Sequence, residues 1–150
     1  MKELLAAGAK IYCDYTIFMN ESFELFCENN AEQMKECCVK LNIPQPVIDE
    51  MKAVPMSRMD DYALCYQGLA RIDDAINEGV AVIAEELEGV EYSEDYFYRL
   101  CEISAENIIV ATNDIQLVTE LSDLCVKLDK PDGFLRVVEI EKNGMLHRLR

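Results

Sequence analysis

The sequence lacks the residues and patterns of several common functional sites. It has one histidine, His147, and none of its seven cysteines lies in a C-x-x-C pair, which argues against a structural zinc site. Its six glycines are scattered and form no G-x-x-x-x-G-K-[ST] phosphate loop. No apolar run approaches the roughly 18–20 residues needed to cross a bilayer. The apolar part of the N-terminal MKELLAAGAK is too short for a signal peptide.

Basic residues are also scarce. Lys and Arg total 14 against 29 Asp and Glu, which gives a formal net charge of −15. This charge favours solubility and opposes non-specific contact with nucleic acid or an anionic membrane. The odd number of cysteines, mostly within apolar segments, is typical of reduced, core-packing thiols, so we expect a cytoplasmic protein with no membrane partner. A length of 150 residues, 51% of them apolar, predicts one domain over 1–150.

Predicted strands alternate with predicted helices along the chain. Apolar runs predict strands over 8–13, 37–43, 80–84, 107–112 and 134–140. Apolar residues at helical spacing predict helices over about 23–35, 46–54, a longer segment ending near Asn77, 94–105 and 115–128, with Ser22 and Ser93 as caps. The strands are continuously apolar, as in sheets covered on both faces. The order therefore predicts an α/β fold, a three-layer α/β/α sandwich with a central parallel sheet of about five strands.

Two of the predicted strands end on a carboxylate. KIYCDYT (10–16) runs into Asp14, and IIVATND (108–114) ends on Asp114. In open α/β sheets, ligands bind at the carboxyl ends of the strands, so these carboxylates share one cleft if their strands are neighbours. They would repel each other unless a hard divalent cation lay between them. With Glu50 in the short helix and Asp95 in the first turn of a later helix, the four acids predict a site for Mg²⁺ or Mn²⁺.

Each acid also has a purely structural explanation. Asp95 can complement a helix dipole, Asp114 can cap the helix that begins at Ile115, and Glu50 can be a solvated helix residue. Asp and Glu account for 29 of the 150 residues, so one acid at a strand end is unremarkable. The metal-site interpretation depends on the four acids together.

Three segments, in this order, resemble the PIN domain, a metal-dependent ribonuclease fold found in toxins of toxin–antitoxin pairs and in RNA-processing proteins. KIYCDYTIFM resembles the family's opening strand, with Asp14 as the first acid, and NIPQPVIDEM resembles the segment of the second acid, here Glu50. SEDYFYRLCEISAENIIVATND is similar to a helix that opens with Asp and a strand that ends in Thr-x-Asp. This similarity places the third acid at Asp95, with the adjacent Glu94 as the alternative, and the fourth at Asp114.

The resemblance spans roughly residues 8–140 and implies an endoribonuclease. The four acids would hold one or two Mg²⁺ or Mn²⁺ ions that activate water for in-line attack on a phosphodiester of single-stranded RNA. Supporting polar groups would be Thr16, Thr112 and Asn113, and phosphate contacts would fall to Lys52, Arg58 and Arg99. Tyr15 departs from the family pattern, which has a small hydroxyl residue at that place. The tail KNGMLHRLR (142–150) forms a small basic patch. We favour a solvated terminus over an RNA contact as the interpretation of this patch.

Other functions stay open. A PIN-like interaction or regulatory module with weak or no catalysis fits the acidic charge. A basic partner such as an antitoxin would cover that charge, so the charge does not exclude a nuclease that is the toxin of a toxin–antitoxin pair. Met56 and Met59 indicate an exposed apolar patch for a partner or a homodimer. Haloacid-dehalogenase chemistry requires a second Asp two residues after the first, but position 16 is Thr16. A receiver domain requires an acidic pair near the first strand and a lysine after a late strand, and this sequence has no clear match to that pattern. For several aromatic residues we favour a position in the core or at its rim over a role in base stacking: Tyr62, Tyr66, Tyr92, Tyr96, Phe97 and Tyr98.

Overall fold

The computed structural model describes residues 8–149. The strands are β1 (Lys10–Cys13), β2 (Leu41–Ile43), β3 (Ala81–Ile83), β4 (Ile108–Ala111), β5 (Leu135–Ile140) and β6 (Leu146–Arg148). The helices are α1 (Tyr15–Phe18), α2 (Ser22–Glu36), α3 (Gln45–Ala53), α4 (Met59–Asn77), α5 (Ser93–Ile103) and α6 (Ile115–Lys127). The first seven residues, which include most of MKELLAAGAK, and Arg150 of the basic tail lie outside this range. Within residues 8–149, no helix has the length and apolar character of a membrane span.

The six strands form one sheet in the order β3-β2-β1-β4-β5-β6. The strands from β1 to β5 are parallel, and β6 is antiparallel to β5. From β1 the chain proceeds to β2 and β3 on one side, and then returns to β4 on the other side of β1. Such a reversal of strand order separates the loops above it and opens a crevice at the carboxyl ends of the strands. Cys13 pairs with Ala111 in register, so Asp14 and Thr112 leave the sheet side by side.

Helices cover both faces of the sheet. Helix α2 packs against α4, and α5 packs against α6. Right-handed crossovers place these two pairs on opposite faces, because the chain moves in opposite directions across the sheet from β1 to β3 and from β3 to β5. The central strands β1 and β4 are buried except for Lys10, and Cys13 and Val110 have 0% exposure. The structure thus confirms the three-layer α/β/α architecture with a mostly parallel sheet.

The boundaries differ from the predicted ones at several points. The strand predicted over 37–43 begins only at Leu41, because Cys37 and Cys38 close α2 and Cys38 adopts a left-handed φ of 56°. Ser22 and Ser93 are the first residues of their helices and not the caps.

Two elements of the structure, α1 and β6, were not predicted from the sequence. The short helix α1 begins directly after Asp14, whose carboxylate caps it. The tail interpreted as a solvated terminus contains β6, so the sheet has one strand more than the expected five and is not wholly parallel. The β6 sequence LHR has a single apolar residue, Leu146, and the hydrogen bonds to β5 define this edge strand.

Candidate functional site

Asp14 occupies the centre of the crevice between β1 and β4. Its side chain is only 2% exposed and accepts three hydrogen bonds. Thr16 donates its backbone N–H at 3.0 Å and its hydroxyl at 2.5 Å to Oδ1, and Thr112 donates its hydroxyl to Oδ2 at 2.6 Å. Burial and, to a smaller extent, the charge of Asp114 raise the pKa of Asp14 to about 6, against the lowering effect of the hydrogen bonds. Asp14 is therefore a strongly held carboxylate with incomplete charge compensation.

The polar residues after β4 connect this carboxylate to the next helix. The Thr112 hydroxyl accepts from the Asp114 backbone N–H at 3.0 Å, and the Thr16 hydroxyl accepts from the Asn113 N–H at 2.8 Å. Asn113 also bridges to β5, where its Oδ1 accepts from the Ile140 N–H at 3.2 Å. The Asp114 Oδ1 accepts from the Gln116 and Leu117 N–H groups at 3.0 and 3.4 Å, which is an N-cap of α6. Thr-Asn-Asp thus fixes two carboxylates at neighbouring strand ends.

Glu50 reaches the same crevice from α3. Its Oε1 accepts from the Ser93 backbone N–H at 3.0 Å, and its Oε2 accepts from the Ser93 hydroxyl at 2.5 Å. A carboxylate at this place satisfies an unpaired N–H at the start of α5 and complements the helix dipole. Glu50 therefore fixes the beginning of α5 against α3.

The two adjacent acids at the start of α5 point in different directions. Glu94 lines the crevice together with Asp14, Glu50 and Asp114. Asp95 is exposed and lines a separate acidic groove with the loop 86–91. Successive helical residues are rotated by about 100°, so only one of the two can face the crevice. The structure brings together Asp14, Glu50 and Asp114 as the sequence predicts, but it adds Glu94 and does not bring Asp95 to them.

A further acid lies at the crevice mouth on α6. The Tyr98 hydroxyl donates to Glu94 Oε1 at 2.7 Å and also contacts the Glu120 carboxylate, to which Gln116 donates at 3.0 Å. Burial and these two carboxylates raise the pKa of the Tyr98 phenol above its ordinary value. The phenol remains protonated at neutral pH and can hold either carboxylate. Glu94 on α5 and Glu120 on α6 thus share one phenol donor at the crevice mouth.

The crevice has a volume of about 360 Å³ and no Lys or Arg among its lining residues. Its acids are Asp14, Glu50, Glu94, Asp114 and Glu120. The predicted phosphate contacts lie elsewhere on the surface. Arg58 pairs with Asp61 at 2.5 Å, Arg99 pairs with Glu102 at 3.1 Å, and Lys52 is exposed on α3 outside the lining.

Three aromatic side chains complete the crevice lining: Tyr15, Tyr92 and Phe97. Partial burial and the charges of Asp14, Asp114 and Glu50 raise the pKa of the Tyr15 phenol, so this ring lies among the acids. Tyr15 is the first residue of α1, and Tyr92 immediately precedes α5. The rings of Tyr15 and Tyr92 are 38% and 61% exposed, whereas Phe97 is buried at 1%.

The donor set fits a hard divalent cation by its chemistry. All five acids supply oxygen, and the crevice supplies no positive charge to offset them. Within residues 8–149, no three His, Cys, Asp or Glu side chains lie close enough to surround one ion. Mg²⁺ does not require such a cage, because it keeps several waters and commonly takes one or two carboxylates. Asp14 and Glu50 have both oxygens in hydrogen bonds, whereas Asp114 caps its helix through Oδ1 alone.

Sequence reasoning missed Ser93 as a partner of Glu50, and it missed Tyr98 and Glu120. No signal in the sequence separates Glu120 from the other surface acids. The choice of Glu94 did have a signal. The apolar stripe of α5 runs through Tyr96, Phe97, Leu100 and Cys101. Asp95 lies on the opposite side of the helix, and Glu94 lies at the edge of the stripe.

Comparisons with known proteins identify the fold. No family model and no curated protein matches the sequence. Among solved structures, the chain is similar to the PIN domain endonuclease Utp24, with 16% identity and a TM-score of 0.53 over 97% of this chain and 95% of that chain. At this identity the similarity concerns the fold, and it agrees with the predicted resemblance over nearly the full described length. The chain therefore has a PIN-like fold.

Proposed function

We propose that this protein is a metal-dependent endoribonuclease that hydrolyses phosphodiesters of single-stranded RNA. The observation that supports this most is the crevice at the carboxyl ends of β1 and β4, which no Lys or Arg lines and which four carboxylates enter from different elements: Asp14, Glu50, Glu94 and Asp114. Parallel strand ends at a point of reversed strand order are where α/β folds bind ligands. The structurally similar Utp24 is named an endonuclease, and the nuclease activity proposed for this crevice follows that protein by fold-level analogy.

Mg²⁺ or Mn²⁺ is the cofactor that this donor set would take. When bound, the ion would activate water and neutralise charge that develops on the phosphoryl oxygens. Asp14 and Asp114 would hold it directly or through water, since they belong to one hydrogen-bonded unit with Thr112. Glu94 takes the place that the sequence assigned to Asp95.

The chain's own residues supply orientation. Thr16 and Thr112 restrict the Asp14 carboxylate, and Asn113 attaches the same loop to β5. Glu50 and Ser93 fix the start of α5 and, with it, Glu94. This preorganisation is required where charge develops in the transition state, because the groups then need no rearrangement.

Cleavage of a fluorescent single-stranded RNA in Mn²⁺ tests this function. Asp114→Asn preserves the helix cap, because Asn caps helices as well as Asp does, yet it removes one charge from the crevice. We expect this variant to lose at least about a hundredfold in rate. Asp132→Asn is the matched control, since Asp132 is exposed outside the crevice. Equal rates for wild type and Asp114→Asn would refute the proposal.

A second candidate is a PIN-like interaction or regulatory module with weak or no catalysis. It is favoured by the absence, within residues 8–149, of a three-acid cluster around one point, and by the net charge of −15. A basic protein such as an antitoxin would complement that charge. Metal binding without RNA cleavage by the wild type would select this function over the nuclease.

Two further parts of the proposal concern assembly and location. Met56 and Met59 are 71% and 76% exposed, which supports an apolar contact with a partner or a second copy. A monomeric mass by light scattering over a wide concentration range would refute the homodimer. All seven cysteines are free thiols, which supports a reducing, cytoplasmic location.

A further inference from the structure

The crevice presents two exposed aromatic side chains and no Lys or Arg, which is unusual for a surface that binds a polyanion. Tyr15 is 38% exposed and Tyr92 is 61% exposed, and both line the crevice beside Asp14, Glu50 and Asp114. Within residues 8–149, neither phenol takes part in a hydrogen bond. These rings are therefore neither core residues nor part of the polar network that holds the acids.

Electrostatics exclude the usual way of holding RNA at this place. Most non-specific affinity for nucleic acid comes from Lys and Arg at the phosphates. No Lys or Arg lines the crevice, and the acids there repel phosphates that no metal ion compensates. Apart from a bound metal ion, affinity at this site has to come from groups that do not depend on charge.

Aromatic side chains provide such affinity. Every nucleobase has a π-face that stacks on a Tyr ring, and this contact tolerates any sequence. Stacking requires an unpaired base, because the faces of paired bases are already covered by their neighbours in the duplex.

We propose that Tyr15 and Tyr92 form a binding site for unpaired nucleobases at the mouth of the acidic crevice. The substrate is then selected as a single strand by its bases, and only the reacting phosphate approaches the acids. This inference rests on the proposed function and names how that site would recognise its substrate. It assigns a role to Tyr15, which departs from the small residue expected at that place, and it differs from the interpretation of Tyr92 as a rim residue.

Binding is measured by fluorescence anisotropy of a short fluorescein-labelled oligoadenylate, with Ca²⁺ in place of Mg²⁺ or Mn²⁺. Two probes serve as comparisons: the same strand in a duplex, and a strand of equal length whose central nucleotides are abasic. The abasic strand keeps the phosphates and lacks the bases. We expect both comparison probes to bind about tenfold more weakly or worse than the single strand.

The variants are Tyr15→Ala, Tyr15→Phe, Tyr92→Ala and the control Tyr66→Ala. Tyr66 is 67% exposed on α4, outside the crevice, so it matches Tyr92 in exposure. Each crevice alanine variant should bind about tenfold more weakly, whereas Tyr66→Ala should not change the affinity. Tyr15→Phe keeps the ring and should bind as wild type does, which separates loss of stacking from disturbance of α1.

The salt dependence gives an independent readout. Binding through few phosphates predicts a slope of log Kd against log salt below about one in magnitude. Wild-type affinity for the alanine variants, equal affinity for the abasic strand, or a steep slope would each overturn the inference. If the wild type shows the expected pattern but cleaves no RNA in Mn²⁺, the nuclease proposal fails and the base-binding site stands. If it cleaves RNA while the alanine variants bind normally, the nuclease stands and this site fails.

Discussion

The Thr112 hydroxyl donates a hydrogen bond to the Asp14 carboxylate at 2.6 Å across 98 residues of sequence. Both groups lie at the carboxyl ends of adjacent parallel strands, and Thr112 has no exposed surface. The same hydroxyl accepts from the Asp114 N–H, so one side chain holds both strand-end acids in place.

Thr112→Val removes this hydroxyl with little change in volume. The buried Asp14 carboxylate would lose one donor and the Asp114 N–H would lose its acceptor, which should lower the free energy of unfolding by about 2–3 kcal/mol. Thr119→Val is the control, because Thr119 is exposed on α6 and donates only to a helix carbonyl. Urea unfolding at neutral pH measures both. Equal losses for the two variants would show that the Thr112 hydroxyl has no special role.

The raised pKa of Asp14 makes stability depend on pH. A folded-state pKa of about 6 lies above the ordinary value of 3.8, so the folded protein binds the proton more tightly than the unfolded chain does. Protonated Asp14 favours the folded protein. Loss of this proton therefore lowers the free energy of unfolding as the pH rises from about 4 to 6, by roughly 3 kcal/mol in total.

Asp14→Asn removes this titration. We expect the variant to gain stability relative to wild type as the pH rises over that range, measured by urea unfolding in EDTA. Asp132→Asn changes the charge equally at an exposed position and should show no such trend. A difference between Asp14→Asn and wild type that stays constant with pH would contradict the raised pKa.

The contact between Glu50 and Ser93 should stabilise the start of α5. A double-mutant cycle with Glu50→Gln and Ser93→Ala should give a coupling energy of about 1–2 kcal/mol, because a charged acceptor at a helix N-terminus is involved. Hydrogen exchange of the first-turn amides of α5 should become faster in both single variants. Additive effects of the two substitutions, together with unchanged exchange of these amides in Glu50→Gln, would mean that Glu50 is simply a solvated residue on α3.

The turn between β5 and β6 packs tightly on α2 through Gly144. This residue has a φ of 78°, and a Cβ atom there would lie 2.6 Å from the Leu25 Cβ and 2.7 Å from the Phe26 N. Gly144→Ala should therefore destabilise the protein by about 2–4 kcal/mol, because backbone strain adds to a steric clash.

Gly133→Ala separates the two causes. Its φ is 82°, but no atom lies within 4 Å of the added Cβ, so only strain of about 1 kcal/mol is expected. Thermal unfolding of both variants measures the difference. A Gly144→Ala protein as stable as Gly133→Ala would mean that the turn between β5 and β6 does not pack on α2 as described.

The sequence predicted the layers, the parallel sheet and three of the crevice acids, Asp14, Glu50 and Asp114, because these depend on local patterns. Asp14 and Asp114 are visible where continuous apolar runs stop, and parallel strands bring their carboxyl ends to one edge. The choice between Glu94 and Asp95 depends on how α5 is rotated about its axis, which the apolar stripe of the whole helix indicates and the two adjacent acids alone do not. The edge strand β6 was not predicted because its residues are mostly polar and it is defined by its pairing with β5. Ser93 was expected to cap α5. Instead, the carboxylate of Glu50 on α3 accepts a hydrogen bond from the backbone N–H of Ser93 at the start of this helix.

Binding of Mn²⁺, measured by the loss of the free-ion paramagnetic resonance signal, tests the metal site most directly. We expect saturable binding by wild type, at least tenfold weaker binding by Asp114→Asn and Glu94→Gln, and wild-type binding by Asp95→Asn. Glu94 and Asp95 are adjacent acids on one helix, so each variant controls for the charge change in the other. No saturable binding by wild type, or equal weakening by Glu94→Gln and Asp95→Asn, would contradict the proposed cleft.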